Sequence, residues 1–328
     1  MKNLLSLLSV FCALCSVLSN AHASAGEFDL DRWYGVLNQI QDRAVAENIS
    51  GSVINDVIQD AVFIPGTIKS DKNQAEFKLT LDEYVARMIS STRIKNGRAM
   101  GAKYPTLLRR VDEKYGVPKN VILAFWGLES NYGEFKARYK LSDAFLSLIY
   151  DGRRDKFFGD QLIALMKIAD KNNLGIAGLR GSWAGAMGHF QFIPTTLAQY
   201  GVDGNNDGRV DIIHNISDAM FSAGNYLNKL GWDKHEKILR PAAIPAGFDM
   251  SLCDAKTKKS LDDWAAAGIT NPDGTPLPTA DKKAGIVCDE KSSPQSAYLV
   301  YDNFYRIKKW NNSNYYAVAV GLLSEELK

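Results

Sequence analysis

The sequence predicts a mainly α fold of the α+β kind, a helical body that carries one small strand-and-loop subdomain. Three observations predict it. Apolar residues recur at helical spacing through the front half of the chain, and two later stretches, Ser217 to Leu230 and Tyr315 to Leu327, repeat that pattern. Between Ile238 and about Ser296 the texture changes, with frequent Pro and Gly and short apolar runs. The expected regions are a leader over 1–23, a helical region over 24–115, a central core over 116–237, the small subdomain over 238–296, and a segment over 297–328 that returns to the core.

The elements follow in order. Trp33, Val36, Leu37 and Ile40 mark a helical face between Phe28 and Phe63, and Thr80 to Met100 and Pro105 to Tyr115 show the same period. Pro118 suits the first turn of the next helix and Gly133 its stop. Asp143 to Ile149 and Gln161 to Ala169 continue the helical series, separated by the basic turn Asp151-Gly-Arg-Arg-Asp155. Ser217 to Leu230 stops at Gly231, and Tyr298 to Ile307 is an apolar segment ahead of the closing helix.

The leader has one charge, Lys2, an uncharged run from Leu4 to Leu18, and a small-x-small cleavage pattern at Ala21-His22-Ala23. These read as a secretory signal peptide cut after Ala23, with the mature chain starting at Ser24. The run is too short and wrongly flanked for a membrane span. Neither Cys12, after Phe11, nor Cys15, after Leu14, follows the small residue that a lipoprotein site needs, so a membrane-attached form is not expected. Their CxxC spacing falls in a discarded segment and carries no redox or zinc reading.

Removing 1–23 leaves 305 of 328 residues, and 46% of the chain is hydrophobic, enough for a folded core. The formal charge of +2 becomes +1 without Lys2, so no global field attracts nucleic acid or anionic membrane. Cys253 and Cys288 remain, an even pair that in an exported chain reads as a disulfide, with two separate buried thiols as the alternative. There is no HExxH and no Cys/His cluster, which argues against catalytic zinc.

Glu129 is the leading catalytic candidate. It ends the apolar run Val121-Ile-Leu-Ala-Phe-Trp-Gly-Leu-Glu129, and Ile122, Phe125 and Trp126 share its helical face. A carboxyl group placed there leaves water, so its pKa rises and it can act as a general acid near neutral pH. The helix dipole adds a push of roughly 0.3–1 kcal/mol, smaller than burial. A locally paired structural Glu is the alternative.

Two loops accompany it. Gly181-Ser-Trp-Ala-Gly-Ala-Met-Gly-His-Phe-Gln-Phe-Ile-Pro194 interleaves glycine, aromatic rings and the polar groups of Ser182 and Gln191, surfaces that suit a sugar. It matches neither a dinucleotide nor a P-loop pattern, and a tight helix connection is the bland reading. Asp203-Gly-Asn-Asn-Asp-Gly-Arg-Val-Asp211 matches the front half of an EF-hand loop. Asp203, Asn205, Asp207 and the Arg209 carbonyl would be ligands, and Asp218 the nearest carboxylate to close a structural Ca2+ site. His214 stands at the twelfth position in place of Glu, and a metal-free Asx-rich turn is the other reading.

Together with Gly127-Leu-Glu-Ser-Asn-Tyr-Gly133, Ala223-Gly-Asn-Tyr-Leu227 and Asn311-Asn-Ser-Asn-Tyr-Tyr-Ala-Val-Ala-Val320, these motifs resemble the lytic murein transglycosylase B family across nearly the whole mature chain. His214 and the Cys253/Cys288 pair depart from its pattern. The resemblance implies a lysozyme-like catalytic core and a periplasmic enzyme that cuts the MurNAc-GlcNAc bond of peptidoglycan without water, leaving 1,6-anhydroMurNAc ends. It implies Glu129 as sole acid and then base, with no catalytic cofactor. By motif position, Ser182, Gln191, Tyr226 and Tyr316 would line the glycan groove, with Arg153 and Arg154 near lactyl or peptide carboxylates. For Tyr226 and Tyr316 the alternative is core packing, and for the arginines a solvated surface. A muramidase using water, or a non-catalytic peptidoglycan-binding protein, are the rival functions. Peptidoglycan strands are the expected partner, with cell-wall synthesis or division proteins left open.

Overall fold

The computed structural model of the chain describes residues 28–73, 79–294 and 296–328. The leader and its cleavage site lie outside the described residues. No helix among the described residues is long and apolar enough to cross a membrane.

Among the described residues the fold is helical with two small antiparallel sheets. The front half forms α1 (Leu30–Ala46), α2 (Gly51–Ile58), α3 (Pro65–Lys72), α4 (Leu81–Met88), α5 (Ser91–Lys103), α6 (Pro105–Tyr115) and α7 (Lys119–Ser130). Local chemistry fixes many of the boundaries. Thr80 and Glu83 close a capping box on α4, Gly116 takes the left-handed conformation that ends α6, and the Asp29 side chain caps α1. Next come β1 (Tyr139–Lys140), α8 (Leu141–Asp151), α9 (Asp155–Asn172), β2 (Arg180–Gly181), α10 (Pro194–Tyr200) and α11 (Ile216–Lys229). β1 and β2 pair antiparallel and tie the entry of α8 to the Gly-rich loop.

The main core runs from Trp33 to Leu327, and α7 and α8 lie inside it. Every residue of α7 from Asn120 to Gly127 is buried, and so is every residue of α8 from Leu141 to Tyr150. Such all-round burial is what a helix through a large core requires. α7 packs against α5, α6, α11 and the closing helix α14 (Asn314–Glu326), while α8 packs against α1, α3 and α9.

The small subdomain contains β3 (Leu239–Ala242), β4 (Lys259–Ser260), α12 (Leu261–Ala266), β5 (Lys283–Val287) and β6 (Ala297–Val300), ordered β3-β6-β5-β4 in one sheet. It has its own core around Trp264, Ile286 and Leu299. β6 lies past residue 296, so the sheet continues into the segment whose apolar pattern alone reads as a return to the helical body. α13 (Asp302–Trp310) follows and makes that return. Cys253 and Cys288 are joined, 35 residues apart in sequence with Cα atoms 4.9 Å apart.

Candidate active site

Glu129 lies in the last turn of α7, whose N-cap is Pro118. The helix stops at Asn131, two residues before the expected Gly133, because Asn131 takes a left-handed conformation with φ 49°, and Tyr132 and Gly133 follow at 62° and 89°. Ser130 secures this turn by donating to the His189 carbonyl at 2.6 Å and accepting from the Gly133 N–H at 3.0 Å. Only glycine fits at 133, since a Cβ there would stand 2.7 Å from the His189 ring. Trp126 Nε1 donates to His189 Nδ1 at 3.1 Å, which fixes the neutral Nε2–H tautomer, and burial lowers the His189 pKa. α7 and the Gly-rich loop are thereby held as one piece.

The Glu129 side chain is partly buried, and Oε1 receives two hydrogen bonds: from Tyr316 Oη at 2.5 Å and from Trp310 Nε1 at 3.1 Å. Oε2 has no hydrogen-bond partner among the described residues. Burial pushes the Glu129 pKa up to about 7, against the two donors, which favour the charged form. No neighbouring carboxylate among the described residues contributes to that shift. At neutral pH the group is therefore split between acid and base, with the acid's proton directed to the free oxygen. The hydroxyl of Tyr316 is itself pushed well above its ordinary value by burial and by the Glu129 charge, so it remains a donor.

An aromatic wall extends from the carboxylate. Trp310 meets Phe125 at 4.7 Å and Tyr226 at 4.9 Å in tilted contacts and Phe192 edge-on at 5.3 Å, and Tyr226 in turn stacks on Tyr200 at 4.5 Å. Phe125 and Phe192 are buried behind it, while the half-buried Trp310, Tyr226 and Tyr200 set flat apolar faces beside a few polar groups, a surface suited to carbohydrate rings.

The structure brings together Glu129, Tyr316 and, through Trp310, Tyr226. Gln191 adopts φ 47° in the turn between the bridged residues Met187 and Phe192, and its Nε2 donates to the Gly188 carbonyl at 2.9 Å. Ser182 sits in the same loop, where its Oγ accepts from the Ala184 and Ala186 N–H groups at 3.3 and 3.0 Å. Gly185 turns that loop at φ 89°, pressed against the Phe145 ring so closely that a Cβ would overlap it. Arg153 and Arg154 directly precede α9. Both guanidinium groups pair with Asp71 of α3, which is buried, while each arginine stays partly exposed.

Trp310 and Tyr84 are site residues that sequence reading missed. Trp310 stands directly before the Asn311 to Val320 motif, which was its only signal. Tyr84 sits inside α4, and Glu129's charge adds to the upward push that burial gives its hydroxyl pKa. Nothing in the period of α4 marks it.

The loop from Asp203 to Asp218 is closed by its own backbone. Asp203 accepts from the N–H groups of Asn206, Asp207 and Gly208, and Asp218 from those of Gly204 and Asp211. His214 turns its ring to Asp211 at 2.8 Å and offers no oxygen. The donors at Asp203, Asn205, Asp207, Asp218 and the Arg209 carbonyl are all oxygens, the chemistry a hard divalent cation takes. Among the described residues no three His, Cys, Asp or Glu side chains are gathered closely enough to form a metal cluster.

With this geometry in place, comparison with known proteins is decisive. A family model described as "Transglycosylase SLT domain" matches residues 33–325. The chain belongs to that family. It is 31% identical over 248 residues to the membrane-bound lytic murein transglycosylase B of Escherichia coli, an alignment covering 74% of this chain and 66% of that protein. SltB3 of Pseudomonas aeruginosa, solved in complex with NAG-anhNAM-pentapeptide, superposes with a TM-score of 0.83 at 34% identity, covering 90% of this chain and 79% of that one. Escherichia coli Slt35, solved in complex with calcium, gives 0.75 at 26% identity, with 89% and 92% covered. The helix-rich, lysozyme-like architecture is therefore that of the lytic transglycosylases.

Proposed function

We propose that this chain is a lytic transglycosylase that cleaves the β-1,4 bond between N-acetylmuramic acid and N-acetylglucosamine in peptidoglycan, with Glu129 as its only acid and base. The observation that carries this reading is the Glu129 carboxyl itself: pKa about 7, Oε1 taken by Tyr316 and Trp310, Oε2 without a hydrogen-bond partner among the described residues. Protonated Oε2 gives its proton to the glycosidic oxygen as the C1–O bond breaks. The Glu129 carboxylate then takes the proton of the sugar's own C6 hydroxyl as that oxygen bonds to C1. The product is a 1,6-anhydro sugar, and the carboxyl returns to its starting state. An inverting or retaining hydrolase needs a second carboxylate opposite the first, and none among the described residues perturbs Glu129.

In this reading Tyr226, Trp310, Gln191 and Ser182 border the glycan groove, and the exposed edges of Arg153 and Arg154 meet substrate carboxylates. The relatives support it: SltB3 is solved with NAG-NAM-pentapeptide. An exported, periplasmic location follows from the leader and from a substrate that lies outside the cytoplasm. Asp203, Asn205, Asp207, the Arg209 carbonyl and Asp218 would hold a structural Ca2+, with no part in the chemistry. Digestion of purified sacculi tests the proposal: the wild type solubilises them and Glu129→Gln does not.

A further inference from the structure

The carboxylate of Asp289 joins three parts of the molecule that are distant in sequence. It directly follows Cys288, whose bridge to Cys253 pins the end of β5. Its Oδ2 accepts from the Leu81 N–H at 3.0 Å and from the Tyr315 hydroxyl at 3.1 Å. Its Oδ1 accepts from the Lys291 N–H at 3.1 Å. Two more bonds reinforce the join: the Asp82 N–H donates to Ser292 Oγ at 3.2 Å, and the Ser293 N–H to Asp82 Oδ2 at 2.8 Å. Burial alone would push the Asp289 pKa up, yet its donors outweigh that and hold it below the usual value.

These contacts fall at the first turns of α4 and α14, each of which brings a tyrosine toward Glu129. Leu81 and Asp82 open α4, which carries Tyr84, and Tyr315 opens α14 beside Tyr316. Tyr84 and Tyr315 also meet ring to ring at 5.8 Å. A negative charge at the N-terminus of α4 is favourable on its own, but Asp289 also spans to α14. We propose that Asp289, anchored by the Cys253–Cys288 bridge, is a positioning residue that sets where α14 presents Tyr316 to Glu129. The small subdomain thereby acts on the chemistry from outside the cleft.

The inference rests on Glu129 as the catalytic acid. The titratable groups facing Glu129 from the packed helices are Tyr84 on α4 and Tyr316 on α14. Loosening α14 weakens the Tyr316 donation, which favours the ionised carboxylate, so the Glu129 pKa moves further up. Turnover and pH profiles on soluble glycan substrate test this for the wild type, Asp289→Ala and Asp289→Asn. Asp289→Ala is expected to lower kcat by about 10- to 100-fold, the scale of a small misplacement of a reacting group, with KM within about twofold. Its alkaline limb shifts to higher pH, and Asp289→Asn, which keeps one acceptor oxygen, recovers most of the turnover. A simple loss of stability moves the melting temperature without moving that limb. Folded Asp289→Ala with the wild-type kcat and limb overturns the inference. Should Asp289→Ala not fold, Tyr315→Phe removes the hydroxyl that donates to Asp289, and an unmoved limb there overturns it equally. Product analysis of the wild type keeps the two ideas separate: absence of anhydro product defeats the proposed function, whereas an active wild type with an unaffected Asp289→Ala defeats only this inference.

Discussion

Tyr316 donates to Glu129 Oε1 at 2.5 Å while Trp310 donates to the same oxygen at 3.1 Å, so one side of the carboxyl is occupied and the other is left for chemistry. That asymmetry decides which oxygen carries the proton. It also holds the pKa near 7, where burial alone would drive it higher.

Tyr316→Phe removes one charge-assisted bond, an interaction of about 1.5–3 kcal/mol. The loss disfavours the ionised form, so the Glu129 pKa rises by about one unit or more, at 1.36 kcal/mol per unit. The expected result is an alkaline limb of kcat displaced upward by that amount. An unshifted limb would show that the contact does not tune the acid.

Glu129→Gln should be more stable than the wild type at alkaline pH. The folded pKa lies above the ordinary carboxyl value of 4.5, so the folded state holds its proton longer than the unfolded chain. Stability from that proton is fully present below about 4.5 and is lost as pH rises through about 7. The neutral amide carries no such pH-dependent cost, and above pH 8 the gain is about 1–3 kcal/mol, discounted for the partial exposure of the group. Thermal melts of both proteins at pH 5 and pH 8 check this: the difference between them should grow with pH.

Reduction of Cys253–Cys288 should destabilise the small subdomain. Closing a loop over a separation of 35 residues is worth about 4 kcal/mol in the chain-entropy model. A melt with and without reductant, or of Cys253→Ser/Cys288→Ser, is expected to show a lower midpoint.

For calcium, the expected outcome is a melting midpoint raised by millimolar Ca2+ and lowered again by chelator, with Asp203→Asn/Asp207→Asn indifferent to both. Activity per folded molecule should not change, because the loop's oxygens have no contact with Glu129. A midpoint insensitive to Ca2+ argues for a loop held by its backbone bonds alone.

The helical pattern was legible because each amphipathic face reports its own burial: Trp33, Val36, Leu37 and Ile40 all enter the core as their spacing implies. Glu129 was legible for a related reason, a lone carboxylate at the end of an otherwise apolar helix. Trp310 was not, because its role depends on α13 and α7 meeting across 181 residues of sequence, a relation that no local period encodes. Gly133 reads as the stop of α7 because glycine is the usual left-handed residue. Asn131 takes that conformation first, and Ser130 and His189 hold the turn. The pairing of Arg153 and Arg154 with Asp71 is illegible for the same reason, since that carboxylate lies about eighty residues earlier.

The most direct test of a single acid and base is the mass of the muropeptides released from sacculi. The account predicts that the wild type yields ends lighter by one water than a reducing sugar, at a rate falling as pH rises past about 7, and that folded Glu129→Gln yields none. Reducing ends from the wild type, or anhydro ends from Glu129→Gln at a comparable rate, would contradict it.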